Sequence, residues 1–542
     1  MKKIFLLFWM VVFNINSYAQ TYTRIDSLRG SITPERSWWD LTYYHLDIEV
    51  HPETKNISGS VLVMYKVIDE GQVLQIDLQK PLTISKIEQD QQSLEFRTEG
   101  NAHFISLKKP QLKESIQSIT VHYAGKPREA ENAPWDGGIS WKTDSTGNPF
   151  IASSCQGLGA SVWWPCKDHM YDEVDSVLIS VEVPQHLINV SNGRLRKVET
   201  NKKKNTKTFH WFVNNPISNY GISINIGDYV NWHEKYQGEK GNLDITYWVL
   251  RGNKKKAKVQ YEQVSKMLDA FEHWFGPYPF YEDGYQLIEA PYLGMEHQSS
   301  ITYGNYFKNG YKGRDLSKTG WGMKFDFIII HESGHEWFAN NITHQDAADL
   351  WIHESFTAYS ESLYLEYYFG KEAGLEYLRG TRINIKNQTP LIGPYHVNYD
   401  HPDIDIYYKG SSILNMIRFM LNDDNLWRET LRGINEKFYH QTVGTDQIEN
   451  YLKSSTGLEL NSFFDQYLRT KDVPILEYYF KNEKMFYRWT NCLKSFNMKL
   501  DAKIADKKLK LQPTSEWSEI PVSSIGVISL NENYYFGLLK SR

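Results

Sequence analysis

Alternating apolar and polar residues at the front and back of the chain, with helical spacing between, predict a multidomain α+β protein. Three observations carry this. Tyr44, Leu46, Ile48 and Val50 alternate with His45, Asp47 and Glu49, the mark of a half-buried strand. From Lys254 the period lengthens, and Tyr261, Val264, Leu268, Phe271 and Phe275 recur at helical spacing. Beyond residue 475 the alternation returns. A chain of 542 residues has room for about three domains, and 17 Trp, 36 Tyr and 25 Phe suffice for sizeable cores. The expected division is a leader at 1–19, an N-terminal antiparallel β domain at 20–230, a mainly helical domain at 231–475 and a small C-terminal β domain at 476–542.

The start of the chain reads as a targeting segment. Lys2 and Lys3 precede ten apolar residues, 4–13, and Ser17-Tyr18-Ala19 places small residues at a cleavage point. Cleavage near Ala19 and export, to the periplasm or outside the cell, are the expectation. The apolar run is short for a membrane span, so no stable membrane insertion is expected. Net charge is -5, and losing Lys2 and Lys3 takes it to -7, which argues against nucleic acid as the main partner. Lysines 202–204 read as a hairpin tip and 254–256 as a helix start. Cys155, Cys166 and Cys492 are too few for a disulfide scaffold, although export permits a Cys155–Cys166 bridge.

In the front region, Val177, Ile179, Val181 and Val183 repeat the strand pattern, as do Ile222, Ile224 and Ile226. Asp136-Gly137-Gly138 and Ser191-Asn192-Gly193 are turn signals between such runs. Cys155 to Gly159 and Trp163 to Asp168 read as a loop with aromatic packing. In the middle region Gly276-Pro277 stops the first long helix, and 285–290 reads as a strand. Residues 425–467 are mostly helical by pattern. In the tail, 522–530 and 534–539 alternate as strands.

His331-Glu332-Ser333-Gly334-His335 lies in a run expected to be helical from Phe325 through Ala339. Four residues advance a helix by a little over one turn, so both imidazoles share a face and suit one zinc ion. Glu332 then stands at the flank of the metal, placed to take a proton from the attacking water. A catalytic zinc needs a third protein ligand and an open position. Glu354 is the candidate, at the start of a helix expected over Ser355–Phe369 and closed by Gly370.

His331-Glu332-x-x-His335 followed eighteen residues later by Glu354 resembles the signature of the aminopeptidase N family of zinc peptidases, the gluzincins. Trp337-Phe338-Ala339-Asn340 and Asp349-Leu350-Trp351 extend the resemblance, which covers roughly residues 40–475. It implies a thermolysin-like catalytic domain holding one Zn2+ per chain. It further implies that Gly294-Met295-Glu296 is the exopeptidase motif, with Glu296 on the substrate's α-amine and Gln156 as a second amine contact. Tyr407, two residues before Lys409-Gly410, matches the tyrosine that stabilises the tetrahedral intermediate. Glu361 matches an acid behind the metal ligands. Departures from the family pattern are Leu293, His297, His353 and Ser355 at positions usually small, Asn, Asn and Gly. Gly334 replaces a better helix former, at about 1 kcal/mol unless packing needs the room.

The implied reaction is hydrolysis of the first peptide bond of peptides with a free N-terminus, with Glu332 as general base. Two alternatives stay open: a thermolysin-type zinc endopeptidase without amine recognition, and a non-catalytic peptide-binding relative. His297, His344, His353, His396 and His401 read as loop or core residues rather than ligands.

Overall fold

The computed structural model describes residues 21–504, 507–522 and 528–541. The leader expected at 1–19 and part of the strand expected at 522–530 lie outside them. No helix among the described residues is long and apolar enough to cross a membrane.

The front region is built on a long hairpin, Trp39–His51 and Asn56–Val67, at the centre of an eight-stranded sheet. Its alternating apolar residues are all buried: Tyr44, Leu46, Ile48 and Val50 are at most 2% exposed. Ser176–Pro184 lies beside the first strand and runs parallel to it, so this sheet is mixed where a purely antiparallel one was expected. Alternation reports which face is buried, not the direction of the neighbour. A four-stranded sheet (138–227 in sequence) and a three-stranded one complete the region around one core. Ile222 lies just ahead of its strand, which begins at Ile224. Lysines 202–204 form the hairpin tip between Arg194–Asn201 and Thr206–Val213, and Lys254 opens a helix.

Next comes a five-stranded sheet that ends on the short edge strand Gly294–Met295, paired to Ile301–Tyr303. Helix Gln263–Phe275 stops at Gly276, whose φ of 92° is a conformation that glycine adopts without strain. The helix carrying His331 spans Phe327–Gly334. Asp326 caps it, accepting from the amides of Ile328 and Ile329, and also accepts from Tyr303 Oη at 2.7 Å and Gln260 Nε2 at 2.7 Å. One buried carboxylate thus ties the helix start to the sheet and to the short helix Lys254–Gln260.

That helix does not run through Trp337-Phe338-Ala339 as expected. Phe338 (φ -129°, ψ 81°) and Ala339 (φ 155°, ψ -47°) leave helical geometry. Trp337 is fully buried against Phe271, Phe275 and Tyr278, and its indole donates to Gly276 O. Tertiary packing of this ring competes with helix continuation there. The following long helix spans Trp351–Phe369, four residues longer at its start than expected, with Glu354 in its first turn. A third helix, Asp405–Leu421, packs along it, with Gly410 against Ser355.

The tail forms a four-stranded and a three-stranded sheet. It shares a core with the helical region: Leu476, Trp489 and Leu511 cluster with Phe463, Phe464 and Tyr467. Arg382 donates to the carbonyls of Glu532, Asn533 and Tyr534, fastening the tail to the helices. Of 534–539 only the end is strand, Gly537–Lys540.

Candidate active site

His331 and His335 stand one turn apart with ring centroids 5.0 Å from each other. His331 Nε2 lies 3.6 Å and His335 Nε2 3.5 Å from Glu354 Oε2. Two ligands about 2.1 Å from a tetrahedral ion are themselves about 3.4 Å apart, so these spacings suit one zinc. Glu354 Oε2 is buried without a hydrogen-bond partner. A buried anionic oxygen left so is costly, and a cation at this point satisfies it. The residues therefore fit the metal.

The far side of each imidazole is fixed. His331 Nδ1 donates to Glu361 Oε1 at 2.7 Å, and Glu361 Oε2 accepts from Tyr377 Oη at 2.6 Å. His335 Nδ1 donates to Phe338 O at 3.0 Å, with Thr357 Oγ1 also 3.0 Å away. Protons held on Nδ1 leave both Nε2 lone pairs for the metal. The break at Phe338 is what turns its carbonyl back toward His335. Sequence reasoning missed Phe338 O, Thr357 and Tyr377 because no spacing rule marks such contacts.

Glu332 is 8% exposed and faces the edge strand. A Cβ on Gly294 would sit 2.8 Å from Glu332 Oε1, so glycine lets the strand approach the carboxylate. Burial pushes the Glu332 carboxyl up to about 7, with the imidazolium form of His331 opposing and Glu296 reinforcing the shift. Gly334 faces the Glu354 helix: a Cβ there would lie 2.8 Å from Ser360 Oγ and 3.2 Å from Thr357 Cγ2. Packing does need the room.

Glu296 is 2% exposed and groups with Glu332 and His335, their donor atoms within 4.8 Å of one another. Gln156 Nε2 donates to Glu296 Oε1 at 2.9 Å and to Glu354 Oε1 at 3.3 Å. Tyr220 Oη, which no motif singled out, donates to Glu296 Oε1 at 3.3 Å, and Asn340 Nδ2 holds the Glu296 carbonyl at 2.8 Å. Met295 is buried with Ala152, Ala290 and Tyr292 beneath the strand. The half-buried Tyr407 stacks on His331 at 5.8 Å. Burial and the charges of Glu354 and Glu296 raise its phenol well above the ordinary range, so it stays a donor.

None of His297, His344, His353, His396 and His401 belongs to a group of donors that could hold a metal among the described residues. His344 and His353 pair with each other at 2.8 Å, and exposed His396 sits 3.7 Å from Asp346. His297 is fully buried with neither ring nitrogen partnered. Cys155 and Cys166 are both buried and free.

The chain matches known proteins in sequence and fold. The Peptidase M1 N-terminal domain matches residues 41–220 and the Peptidase family M1 domain matches residues 259–467. Among curated relatives, probable aminopeptidase 2 of Sulfurisphaera tokodaii is 23% identical over 342 residues, 60% of this chain and 42% of its own length. Aminopeptidase N of Lactococcus lactis subsp. lactis is 20% identical over 458 residues, 80% of this chain and 51% of its own length. The chain spans about half the length of the curated relatives it matches, although it covers 69% of the Xenopus laevis leukotriene A-4 hydrolase at 22% identity. A solved M1 zinc metallopeptidase from Deinococcus radiodurans shares the fold, with a TM-score of 0.69 and 20% identity over 82% of this chain and 98% of that one. Matched in both its β-rich front and its helical core, and carrying a donor set that fits zinc, the chain belongs to peptidase family M1.

Proposed function

We propose that this protein is a zinc aminopeptidase that releases the N-terminal residue of peptides. The observation that carries the reading is a buried carboxylate, Glu296, held by Gln156 and Tyr220 beside the three metal donors. His331, His335 and Glu354 would hold the zinc, which supplies Lewis acidity to the scissile carbonyl and to water.

The chain's own residues do the rest. Glu296 accepts from the substrate's ammonium, since an ionised carboxylate has more lone pairs than its two hydrogen bonds occupy. Gln156 bridges Glu296 and Glu354, and so sets the distance between the amine and the scissile bond. Glu332 takes a proton from the attacking water and later delivers it to the leaving amine. Tyr407 donates to the oxygen on which negative charge develops. Glu361 orients His331 from behind.

A thermolysin-type endopeptidase would share the metal donors but has no use for the Glu296 clamp. Free-amine and N-acetylated versions of one peptide separate the two, with and without a chelator. The expectation is cleavage of the free-amine peptide alone, abolished by the chelator. Equal cleavage of both peptides would support the endopeptidase. Absent turnover with zinc bound would support a peptide-binding relative. The leader-like start further supports action outside the cytoplasm, in the periplasm or beyond, after cleavage near Ala19, and N-terminal sequencing of the exported protein tests this.

A further inference from the structure

A cavity of about 90 Å³ lies beside the clamp. Gln156 and Tyr220, which both bind Glu296, line it, together with His353, the neighbour of Glu354. Its lining also includes Arg29, on a short helix, Arg24–Gly30, that lies ahead of the family-matched residues. This helix is fixed in place. Leu28 is buried against Ala102 and Phe104, Asn398 N donates to Asp26 O at 2.9 Å, and a Cβ on Gly30 would lie 2.0 Å from the Val397 carbonyl carbon.

The guanidinium of Arg29 has five N–H donors and makes one hydrogen bond, to the neutral carbonyl of Gly157 at 2.6 Å. Among the described residues no carboxylate forms an ion pair with it at 4.0 Å or less, and the more distant charges of Asp168 and Asp77 act on it. The carboxylate in the same wall, Asp168, is already occupied by the amides of Ala160 and Ser161 and by Ser161 Oγ. His169, 5% exposed, also lines the cavity. Its Nδ1 accepts from Tyr171 N at 3.2 Å, and its other ring nitrogen is turned to the Gly30 carbonyl. A cationic group with unused N–H donors, Arg29, therefore lines a space that adjoins the amine clamp.

Resting on the aminopeptidase reading, we infer that this cavity receives the side chain of the peptide's first residue, and that Arg29 makes it select a carboxylate, so that N-terminal glutamate is preferred over glutamine. The two side chains have nearly the same shape, so charge is what separates them. A charge-assisted hydrogen bond to a half-buried guanidinium corresponds to about tenfold or more.

The test compares kcat/KM for glutamyl, glutaminyl, leucyl and lysyl anilides. Wild type should favour glutamyl over glutaminyl at least tenfold. Arg29→Gln should bring that ratio near one while changing leucyl turnover less than about threefold, Arg29→Lys should restore part of it, and Arg29→Glu should favour lysyl over glutamyl. A merely structural role for Arg29 would lower all four substrates together. A wild-type ratio at or below one, or such a parallel loss, overturns the inference. A second readout separates it from the reaction: calorimetric binding of L-glutamate and L-glutamine to the zinc-loaded Glu332→Ala protein, with and without Arg29→Gln. Tighter glutamate binding that vanishes in Arg29→Gln, without turnover of any anilide by wild type, upholds the pocket and rejects the aminopeptidase. Equal binding of the two amino acids rejects the pocket even if anilides are cleaved.

Discussion

Replacing Gly334 by alanine opposes two effects of known size. In an unconstrained helix the change stabilises by about 1 kcal/mol, because glycine has more backbone freedom to lose on folding. Here the new methyl would sit 2.8 Å from Ser360 Oγ, 3.2 Å from Thr357 Cγ2 and 3.6 Å from Phe271 Cε2. Ser360 is not free to swing away, since it donates to Thr357 O at 2.6 Å. Overpacking of this kind costs about 1–3 kcal/mol, so the variant should be less stable than wild type by up to about 2 kcal/mol. The strain also falls on Thr357, whose hydroxyl lies 3.0 Å from His335 Nδ1, so zinc affinity should fall with stability. Ser360→Ala removes the nearest atom, and the Gly334→Ala/Ser360→Ala pair should recover more than the sum of the single changes predicts. Urea unfolding of the zinc-free proteins, with chelator competition for zinc, measures both quantities. A single Gly334→Ala variant more stable than wild type by about 1 kcal/mol would refute the argument, since the helix would then have had room all along.

Further expectations follow from other contacts. Glu332→Ala should keep zinc and lose at least 100-fold in kcat on a free-amine peptide; metal lost along with activity would show that Glu332 is a ligand. Glu361→Gln leaves His331 Nδ1 without its charged acceptor and should weaken zinc binding about 10–100-fold, with turnover largely returning at saturating zinc; unchanged affinity would remove Glu361 from the metal's support. Glu289, 8% exposed, has its carboxyl pushed up to about 7 by burial, against the hydrogen bonds from Leu250 N and Asn253 Nδ2. Its folded value exceeds the unfolded one of about 4.3, so the native state holds the proton more tightly. That contribution is complete below about pH 4.3 and is lost as pH rises through 7, amounting to at most about 4 kcal/mol. Glu289→Gln should flatten the stability profile across that window, and an unchanged slope would show that Glu289 is not its source.

Much of the architecture was legible because it is local. Strand alternation from Tyr44 to Val50 and helical spacing from Val264 to Phe275 are one-dimensional records of a buried face, and both elements are where their periods put them, although Tyr261 caps a separate short helix, Lys254–Gln260. The helix of His331 was legible for the same reason as far as Gly334. Its expected continuation failed at Phe338, because burial of Trp337 against Phe271, Phe275 and Tyr278 competes with local helix preference. The parallel neighbour of the first strand and the sharing of one core by tail and helices were equally invisible, since both are matters of packing between distant segments.

By itself the sequence determined the chemistry on offer: two imidazoles one turn apart, an acid beside the first, and a third donor on the next helix. Those relations depend on backbone geometry over a few residues, which is nearly the same in every helix. Only the tertiary structure decided what surrounds them. Gln156 meets Glu296 across 140 residues and Glu354 across 198, and Arg29 reaches Gly157 across 128. No local period encodes such meetings, because they exist only once the β-rich front has docked on the helical core and burial has fixed which side chains face one another.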